Sequence, residues 1–495
     1  MAIETELKLR IAPEHLERLK RHPFLRSLSS ERATTRKLYS VYFDTPDLQL
    51  HHDRMALRLR LVGKRWLQTL KGGGGVQAGL HQRNEWETPV AGEQLDFAAL
   101  EAVGATHLSP GLQKTVQPLF VTDFTRSIRL LNFEGAQIEL GLDSGEIRTG
   151  KLNYPISELE LELKSGVPLQ LFRLALKLLE IVPLEIETTS KAEYGYRLHV
   201  PVKPSVSKAK MPELDAHTPV AEALQSMIWS CLFHLQANVP GAVKKEDDEY
   251  LHQVRVTLRR LRVVLDMTAK HRADAELDAL RDLIAELGLA LGRSREWDVF
   301  VTEILPSVLP KDVEELKELL VESEKRRQKC HQLVYAALQT VDFQRLLLRF
   351  GAWMNGEYWS EFRKSANLLH FAEHALGRHE QKFRRRGECI QGDANNEQLH
   401  KLRIACKNLR YSTELLASLH EASNSKKQLN LLAKLQDTLG KLHDNAVALQ
   451  LLDELEQVTH HENIVLIRDG IEHNHAKYLK ELRKEWKSFG LSQLV

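Results

Sequence analysis

The 495-residue sequence predicts a multidomain α+β protein, and three observations carry that prediction. Up to about residue 200, short segments alternate polar and apolar side chains between turn signals such as Asp44-Thr45-Pro46, Ser109-Pro110-Gly111 and Asp143-Ser144-Gly145, the pattern of antiparallel strands. Beyond about residue 217 the apolar period becomes helical. Between them, Pro201, Pro204, Ser205, Ser207 and Pro212 stand among lysines, a composition that suits a linker rather than a core. The expected domains are therefore a strand-rich 1–200, a linker over 201–216, and an all-helical 217–495.

Composition narrows the class. Hydrophobic residues make up 43% and charged residues 27%, which excludes disorder, and no apolar run is long enough to suggest a membrane span. The net charge is +2 and each part is near neutral by itself, so nothing advertises nucleic acid or an anionic membrane, and any polyanion site must be local. The first ten residues, MAIETELKLR, lack the apolar segment of a secretory signal. Cys231, Cys330, Cys389 and Cys406 have neither disulfide-scaffold nor metal-ligand spacing. A cytoplasmic location is expected.

In the first strand, Glu4, Glu6, Lys8 and Arg10 alternate with Thr5, Leu7 and Leu9, so the charged set projects from one face. The same alternation recurs in Arg58 and Arg60 among leucines, in Arg83, Glu85 and Glu87, and in Glu158, Glu160, Glu162 and Lys164. Closing such a sheet with its leucines outward, under helices near 13–22 and 168–182, would line an interior with carboxylates, guanidiniums and ammoniums. A barrel of about eight strands encloses one small ligand. Clustered Glu beside clustered Arg and Lys suits a polyphosphate chain carrying divalent cations: carboxylates are hard ligands for Mg²⁺ or Mn²⁺, and Arg and Lys hold phosphate. No cysteine lies in 1–200 and no GxSxG elbow occurs, so a covalent nucleophile is not expected. Gly72 to Gly75 precede a strand-like segment without a Gly-Lys-Ser/Thr, and read as a flexible hairpin loop rather than a phosphate cradle. Trp66 and Trp86 read as packing residues.

Glu4-x-Glu6-x-Lys8 resembles the ExExK signature of the CYTH domain, or triphosphate tunnel metalloenzyme, family. The likeness continues through Tyr42-Phe43-Asp44-Thr45, Leu57-Arg58-Leu59-Arg60, Thr69-Leu70-Lys71, Arg83-x-Glu85-x-Glu87, Glu139 with Asp143, Glu158-x-Glu160-x-Glu162 and Ser190-Lys191. The resemblance implies an eight-stranded antiparallel tunnel barrel with flanking helices, acting on triphosphate-containing substrates with Mg²⁺ or Mn²⁺. It further implies catalytic roles for Glu4, Glu6 and Lys8, and metal ligation by Glu4, Glu6, Glu158, Glu160 and Glu162. Lys8, Arg58, Arg60, Lys71 and Lys191 would hold phosphates. Arg126 or Arg129 would add a further clamp, their spacing placing them on opposite faces of a regular strand. Asp143 is either a metal ligand or a turn residue.

The helical part contains an internal repeat. His252-x-x-Arg255-x-x-x-Arg259-x-x-Arg262 returns 148 residues later as His400-x-x-Arg403-x-x-x-Lys407-x-x-Arg410, and Leu291-Gly292-Arg293-x-Arg295-Glu296 returns at the same offset as Leu439-Gly440-Lys441-x-His443-Asp444. Two tandem bundles of about four helices each are expected. At ~100° per residue the four basic positions of each motif fall within about 80° of one another, a basic stripe beside a stripe of apolar residues. His252 and His400 have no partner at i+4 to complete a metal site, so phosphate contact or capping is expected of them. Facing stripes would form a groove for a long polyanion. This half resembles the CHAD domain, which implies binding of inorganic polyphosphate. The combination resembles that of bacterial inorganic triphosphatases, implying hydrolysis of triphosphate to diphosphate and phosphate. The alternatives are an adenylyl cyclase, a thiamine or nucleoside triphosphatase, and a polyphosphate-binding protein without catalysis.

Overall fold

Alternating charge and leucine resolves into a closed barrel. The computed structural model describes residues 2–77, 79–105, 108–201, 203–309, 317–362, 367–392, 394–419, 422–457 and 464–490. Its strands are β1 (Ala2–Ile11), β2 (Thr34–Asp44), β3 (Ala56–Val62), β4 (Arg65–Gln77), β5 (Leu80–Val90), β6 (Gln117–Phe133), β7 (Ala136–Thr149), β8 (Leu152–Ser165) and β9 (Leu184–Ile186). They run in the order β5-β4-β3-β2-β6-β7-β8-β1, a β5–β1 pairing closes the barrel, and the short β9 adds to the end of β1. All of these pairings are antiparallel.

Leucines face outward. The helices of this unit are α1 (Pro13–Lys20), α2 (Pro23–Ser27), α3 (Gln49–His52), α4 (Phe97–Ala102), α5 (Pro110–Thr115), α6 (Pro168–Leu179) and α7 (Lys191–His199). Leu7, Leu9, Leu159 and Leu161 are buried against Phe172, Leu174 and Leu178 of α6, each fully buried leucine contributing about 2 kcal/mol of transfer free energy. Leu57, Leu70 and Trp86 pack with Leu100 and Leu112. Ser190 caps α7, accepting from Glu193 N at 3.2 Å, and Ala192 and Tyr196 of that helix join Leu38, Tyr42, Phe120 and Phe124 in an apolar plug.

Two turn signals resolve differently. Gly72 to Gly75 are not a hairpin loop: they lie within β4 at a register shift against β5, where Gly72 pairs with Asn84 and Gly75 with Gln82. Gly73 and Gly74 have φ of +67° and +75°, and a Cβ on Gly74 would stand 1.8 Å from Gln82 O, so glycines admit the bulge. Asp143-Ser144-Gly145 lies inside the long strand β7. A Cβ on Gly145 would lie 2.4 Å from Phe124 Cα, so this glycine allows a close approach rather than a reversal.

The helical unit comprises α8 (Val220–Lys244), α9 (Asp248–Ala269), α10 (Ala275–Val299), α11 (Leu305–Val308) and α12 (Lys317–Leu338). After α13 (Val341–Met354) and α14 (Tyr358–Phe362) come α15 (Leu368–Gly387), α16 (Asn396–Leu415), α17 (Ala422–Glu456) and α18 (Ile464–Gly490). The starts of α8 and α9 recur at the 148-residue offset as the starts of α15 and α16. A π-helical turn at Phe300–Ile304 divides α10 from α11, where the second repeat has the unbroken α17. Asp247 and the Asn395–Gln398 capping box open α9 and α16.

The expectation of a continuous helical domain over 217–495 needs one correction. The chain divides into one compact unit of 1–205 with 340–358, and another of 206–339 with 359–495. Helix α13 therefore belongs with the barrel. Its Leu348 is buried in the barrel's outer core, Gln344 Oε1 accepts from Ile186 N at 2.9 Å, and a Cβ on Gly351 would meet the Phe172 ring at 2.1 Å. Apolar periodicity identifies an amphipathic helix but not which core receives it.

Candidate functional site

Strand parity collects the charged side chains in the barrel interior. Register sets Lys8 opposite Glu160, Asp143 opposite Glu158, and Arg126 opposite Asp143. Where α7 begins, the buried Lys191 Nζ lies 2.5 Å from Glu158 Oε2, 2.8 Å from Asp143 Oδ2 and 2.9 Å from Glu160 Oε1. Arg126 Nε and Nη2 donate to the two Asp143 oxygens at 2.7 and 2.6 Å, and Nη2 also pairs with Glu160. Lys8 Nζ reaches Glu160 Oε1 at 2.5 Å and Glu6 Oε1 at 3.0 Å.

Further along the lumen Lys71 pairs with Glu4, and lies 3.5 Å from Glu85, which also has Arg58 at 3.6 Å. Arg60 Nε donates to Ser40 Oγ at 3.0 Å. The guanidiniums of Arg60 and Arg126 and the ammonium of Lys191 lie 6.0, 5.6 and 5.3 Å from the centroid of the Phe124 ring, within cation–π range.

The carboxylates differ in electrostatics. Burial pushes Glu4 and Glu158 up from their ordinary values, against Lys71 and Lys191 respectively. Burial acts in the same direction on Glu6 and Glu160, but Lys8 holds Glu6 at about 2, and Arg126, Lys191 and Lys8 hold Glu160 well below the usual range. Burial and the adjacent Arg58 bring Arg60 down to about 10.

Asp143, Glu158 and Glu160 are the described residues whose carboxylate oxygens come within 4.8 Å of one another as a possible metal set. Three hard oxygen donors fit a divalent cation such as Mg²⁺ or Mn²⁺. The Lys191 ammonium contacts all three, so this corner is already built around positive charge. Glu4 and Glu6 are engaged by Lys71 and Lys8, outside that trio. Glu162 shares strand parity with Glu160, is partly exposed, and pairs with Lys164 at 2.5 Å.

Register separates the two arginines of β6. Arg126 faces the lumen, whereas Arg129 has the opposite parity, sits across from Leu140 and stands on the outer face, so it is not a tunnel clamp. Asp143 is a lumen residue rather than a turn residue. Phe124 and Ser40 join the site without having been singled out by sequence reasoning, and Glu85, noted there only for its alternation, joins it too. The alternation of Glu85 with Arg83 and Glu87 was the available signal for one of them; Phe124 and Ser40 carry none.

A second cluster forms in the helical unit. Burial and the neighbouring Arg259 and Arg295 lower Arg255 to about 9. Burial with Arg403 and Arg259 lowers Lys407 to about 6, and burial with Arg403, His400 and Lys407 lowers His443 to about 3. Arg255 and Arg259 thus share one electrostatic neighbourhood with Arg403 and Lys407 of the other repeat. Arg255 Nε and Arg403 Nε are buried without a hydrogen-bond partner, an unmet polar requirement that an anion's oxygens would satisfy. Asp444, pushed up by burial, Asp298 and Glu296 are nearby acids.

Not every stripe residue joins. His252, though exposed, has Arg255, Arg295 and Arg259 as charged neighbours, whereas Arg262 is exposed, and Arg410 Nε donates to Glu414 Oε1 at 3.0 Å while Arg260 reaches the other oxygen at 2.8 Å. Arg410 is therefore drawn into an ion-pair network, and Arg295, which the sequence places in the second repeated motif, takes a place in the cluster. His400 Nδ1 lies 3.4 Å from His443 Nδ1.

Residues 2–196 match the CYTH domain model and residues 226–453 the CHAD domain model. An inorganic triphosphatase from Haemophilus influenzae is 35% identical over 202 residues, 40% of this chain and 55% of that protein. The match thus spans about half of that relative's length. The crystal structure of the CHAD domain from the plant Ricinus communis aligns with a TM-score of 0.52 at 30% identity, covering 57% of this chain and 96% of that one. The four cysteines are free, and no helix among the described residues is long and apolar enough to cross a membrane.

Proposed function

From the premise that this chain belongs to the CYTH and CHAD families, carrying one domain of each, we propose that its barrel hydrolyses inorganic triphosphate to diphosphate and phosphate with Mg²⁺ or Mn²⁺, and that its helical unit binds inorganic polyphosphate. The observation that carries the reading is the lumen's charge balance. Lys8, Arg58, Lys71, Arg126 and Lys191 each stand within ion-pair distance of acids drawn from Glu4, Glu6, Glu85, Asp143, Glu158 and Glu160, and Arg60 lies on Ser40. Cations already paired with carboxylates do not fully compensate a multiply charged anion; with divalent cations on those carboxylates, the same residues present excess positive charge. A pure anion binder has no need of the carboxylates, whose burial is expensive.

Glu158, Glu160 and Asp143, with Glu4 and Glu6, would hold the metal, which when bound supplies Lewis-acid stabilisation of phosphate oxygens and orients water for attack. The chain's own cations do the rest. Arg126, Arg58 and Arg60 grip phosphate oxygens, while Lys8, Lys71 and Lys191 add point charge that offsets the charge developing on the diphosphate leaving group. Water adds to a terminal phosphorus, the bridging P–O bond breaks toward diphosphate, and the water's proton passes to a lumen carboxylate or to phosphate. In the helical unit, Arg255, Arg259, Arg403 and Lys407 would meet a polyphosphate chain chiefly through charge.

The test is phosphate release from inorganic triphosphate, ATP and thiamine triphosphate with Mg²⁺ or Mn²⁺, in the wild type and in Glu6→Ala. Metal-dependent release from triphosphate, lost in the variant, supports the reading. Faster turnover of ATP or thiamine triphosphate would replace the substrate assignment, and polyphosphate binding with no turnover would reduce the protein to a binding module.

A further inference from the structure

The internal repeat allows each feature of one half to be compared with its counterpart. In the first repeat, one face of α8 is covered by the segment that precedes it. His234 Nε2 and Asn238 Nδ2 lie 2.8 and 3.0 Å from Ser207 O, and Ser230 Oγ donates to Lys210 O at 2.5 Å. Ser418 Oγ, at the end of the facing helix, accepts from Leu214 N at 3.1 Å. Neutral side chains here serve the polar groups of an extended backbone.

At the 148-residue offset those positions become cationic: Ser230 corresponds to Arg378, His234 to Lys382, and Ser418 to Lys270. Beside them is an open cavity of about 380 Å³, lined from α9, α10, α15 and α16 and from the residues just after α9. Its two acids are already spoken for, since Arg281 donates to Asp266 at 2.6 Å and to Asp278 at 2.9 Å. Among the described residues, no ion pair engages Lys270, Arg378 or Lys382, and Arg378 Nε is buried without a hydrogen-bond partner. His379 shares the wall, its Nδ1 2.5 Å from Ser412 Oγ. Thus one fold position that the chain fills with its own carbonyls in one repeat is, in the other, a cleft with three cations outside any ion pair among the described residues, Arg378 partly buried and Lys270 and Lys382 at its exposed rim.

We propose that this cleft is a binding site for a short phosphoanhydride anion, of the diphosphate or triphosphate class, distinct from the cluster at Arg255 and Arg403. The chemistry selects the ligand. Carbonyl oxygens are served by neutral donors, whereas three unpaired cations call for a multivalent oxyanion: the guanidinium gives paired N–H donors and the lysines give charge. The cavity's size accommodates a short anion and limits a long chain. Burial and the surrounding Lys270, Arg378 and Lys382 hold His379 at about 4, a crowding of positive charge that an anion would relieve.

The experiment is hydrogen exchange on the full chain, without metal, as diphosphate is titrated at roughly millimolar concentration, with citrate as a carboxylate control. Protection is expected in the peptides spanning 266–273 and 376–384. Arg378→Ala with Lys382→Ala should weaken that local protection by about tenfold or more, while the charge-conserving pair Arg378→Lys with Lys382→Arg keeps most of it and reports on folding. Three results would overturn the proposal: no protection there with either diphosphate or triphosphate, equal protection in the alanine variant, or equal protection by citrate. The tunnel's own response to diphosphate appears in separate peptides, so failure here is distinguishable from failure of the catalytic reading.

Discussion

The Nζ of Lys191 stands 2.5 Å from Oε2 of Glu158, both side chains being buried. The same ammonium touches Asp143 and Glu160. With Arg126 and Lys8 it therefore offsets the mutual repulsion of a carboxylate trio in a low-dielectric corner.

Replacing that ammonium with an apolar isostere, Lys191→Met, leaves the trio without its shared partner. Breaking a buried ion pair on one side costs roughly 3–5 kcal/mol, and thermal unfolding should register a loss of that order. Added Mg²⁺ should raise the Tm of the variant more than that of the wild type, because the ammonium shared by all three carboxylates no longer competes for them. Equal shifts would show that the trio does not hold the metal.

Phe124 gathers Arg60, Arg126 and Lys191 over one ring. Phe124→Leu preserves burial and removes the aromatic face. Each cation–π contact is worth about 0.5–1 kcal/mol, so KM for triphosphate should rise about fivefold or more with a smaller change in kcat. An unchanged KM would mean that Phe124 only packs.

Helix α13 approaches the barrel through Gly351, where a Cβ would meet the Phe172 ring at 2.1 Å. Gly351→Val should overpack this contact and destabilise the barrel unit by about 1–3 kcal/mol. Faster hydrogen exchange is expected in α6 and α13, and unchanged exchange in both would refute the packing argument.

Arg255→Ala combined with Arg403→Ala removes one buried and one half-buried guanidinium from the basic cluster. Binding of long-chain polyphosphate, measured by titration, should weaken while triphosphate turnover stays at the wild-type level. Joint loss of binding and turnover would end the division of labour.

Lys407 gives a pH test with a definite sign. Its ordinary value of 10.5 falls to about 6 in the folded protein through burial and through Arg403 and Arg259. Between those values the unfolded chain binds the extra proton, so this group makes stability rise with pH across the window. The rise in Tm from pH 7 to 9 should be flatter in Lys407→Met than in the wild type. A bound polyanion favours the ammonium, so polyphosphate binding should take up a proton and weaken as pH rises, which calorimetry in buffers of different ionisation enthalpy would detect.

The sequence by itself determined the two faces of every barrel strand, because side chains alternate with a period of two wherever the strand runs. It thereby brought Glu4, Glu6, Lys8, Arg58, Arg60, Glu158 and Glu160 to one side. It also determined the tandem repeat, through two motifs sharing one offset. Tertiary structure decided what depends on register between strands distant in sequence: that Arg126 and not Arg129 meets Asp143, that Asp143 lies in a strand, and that Phe124 underlies three cations. It decided as well that α13 leaves the helical unit for the barrel, and that Arg410 turns to Glu414 while Arg295 joins the basic cluster. Periodicity is local and survives in one dimension, whereas the partner of a buried charge is chosen by whichever opposite charge the fold carries within reach.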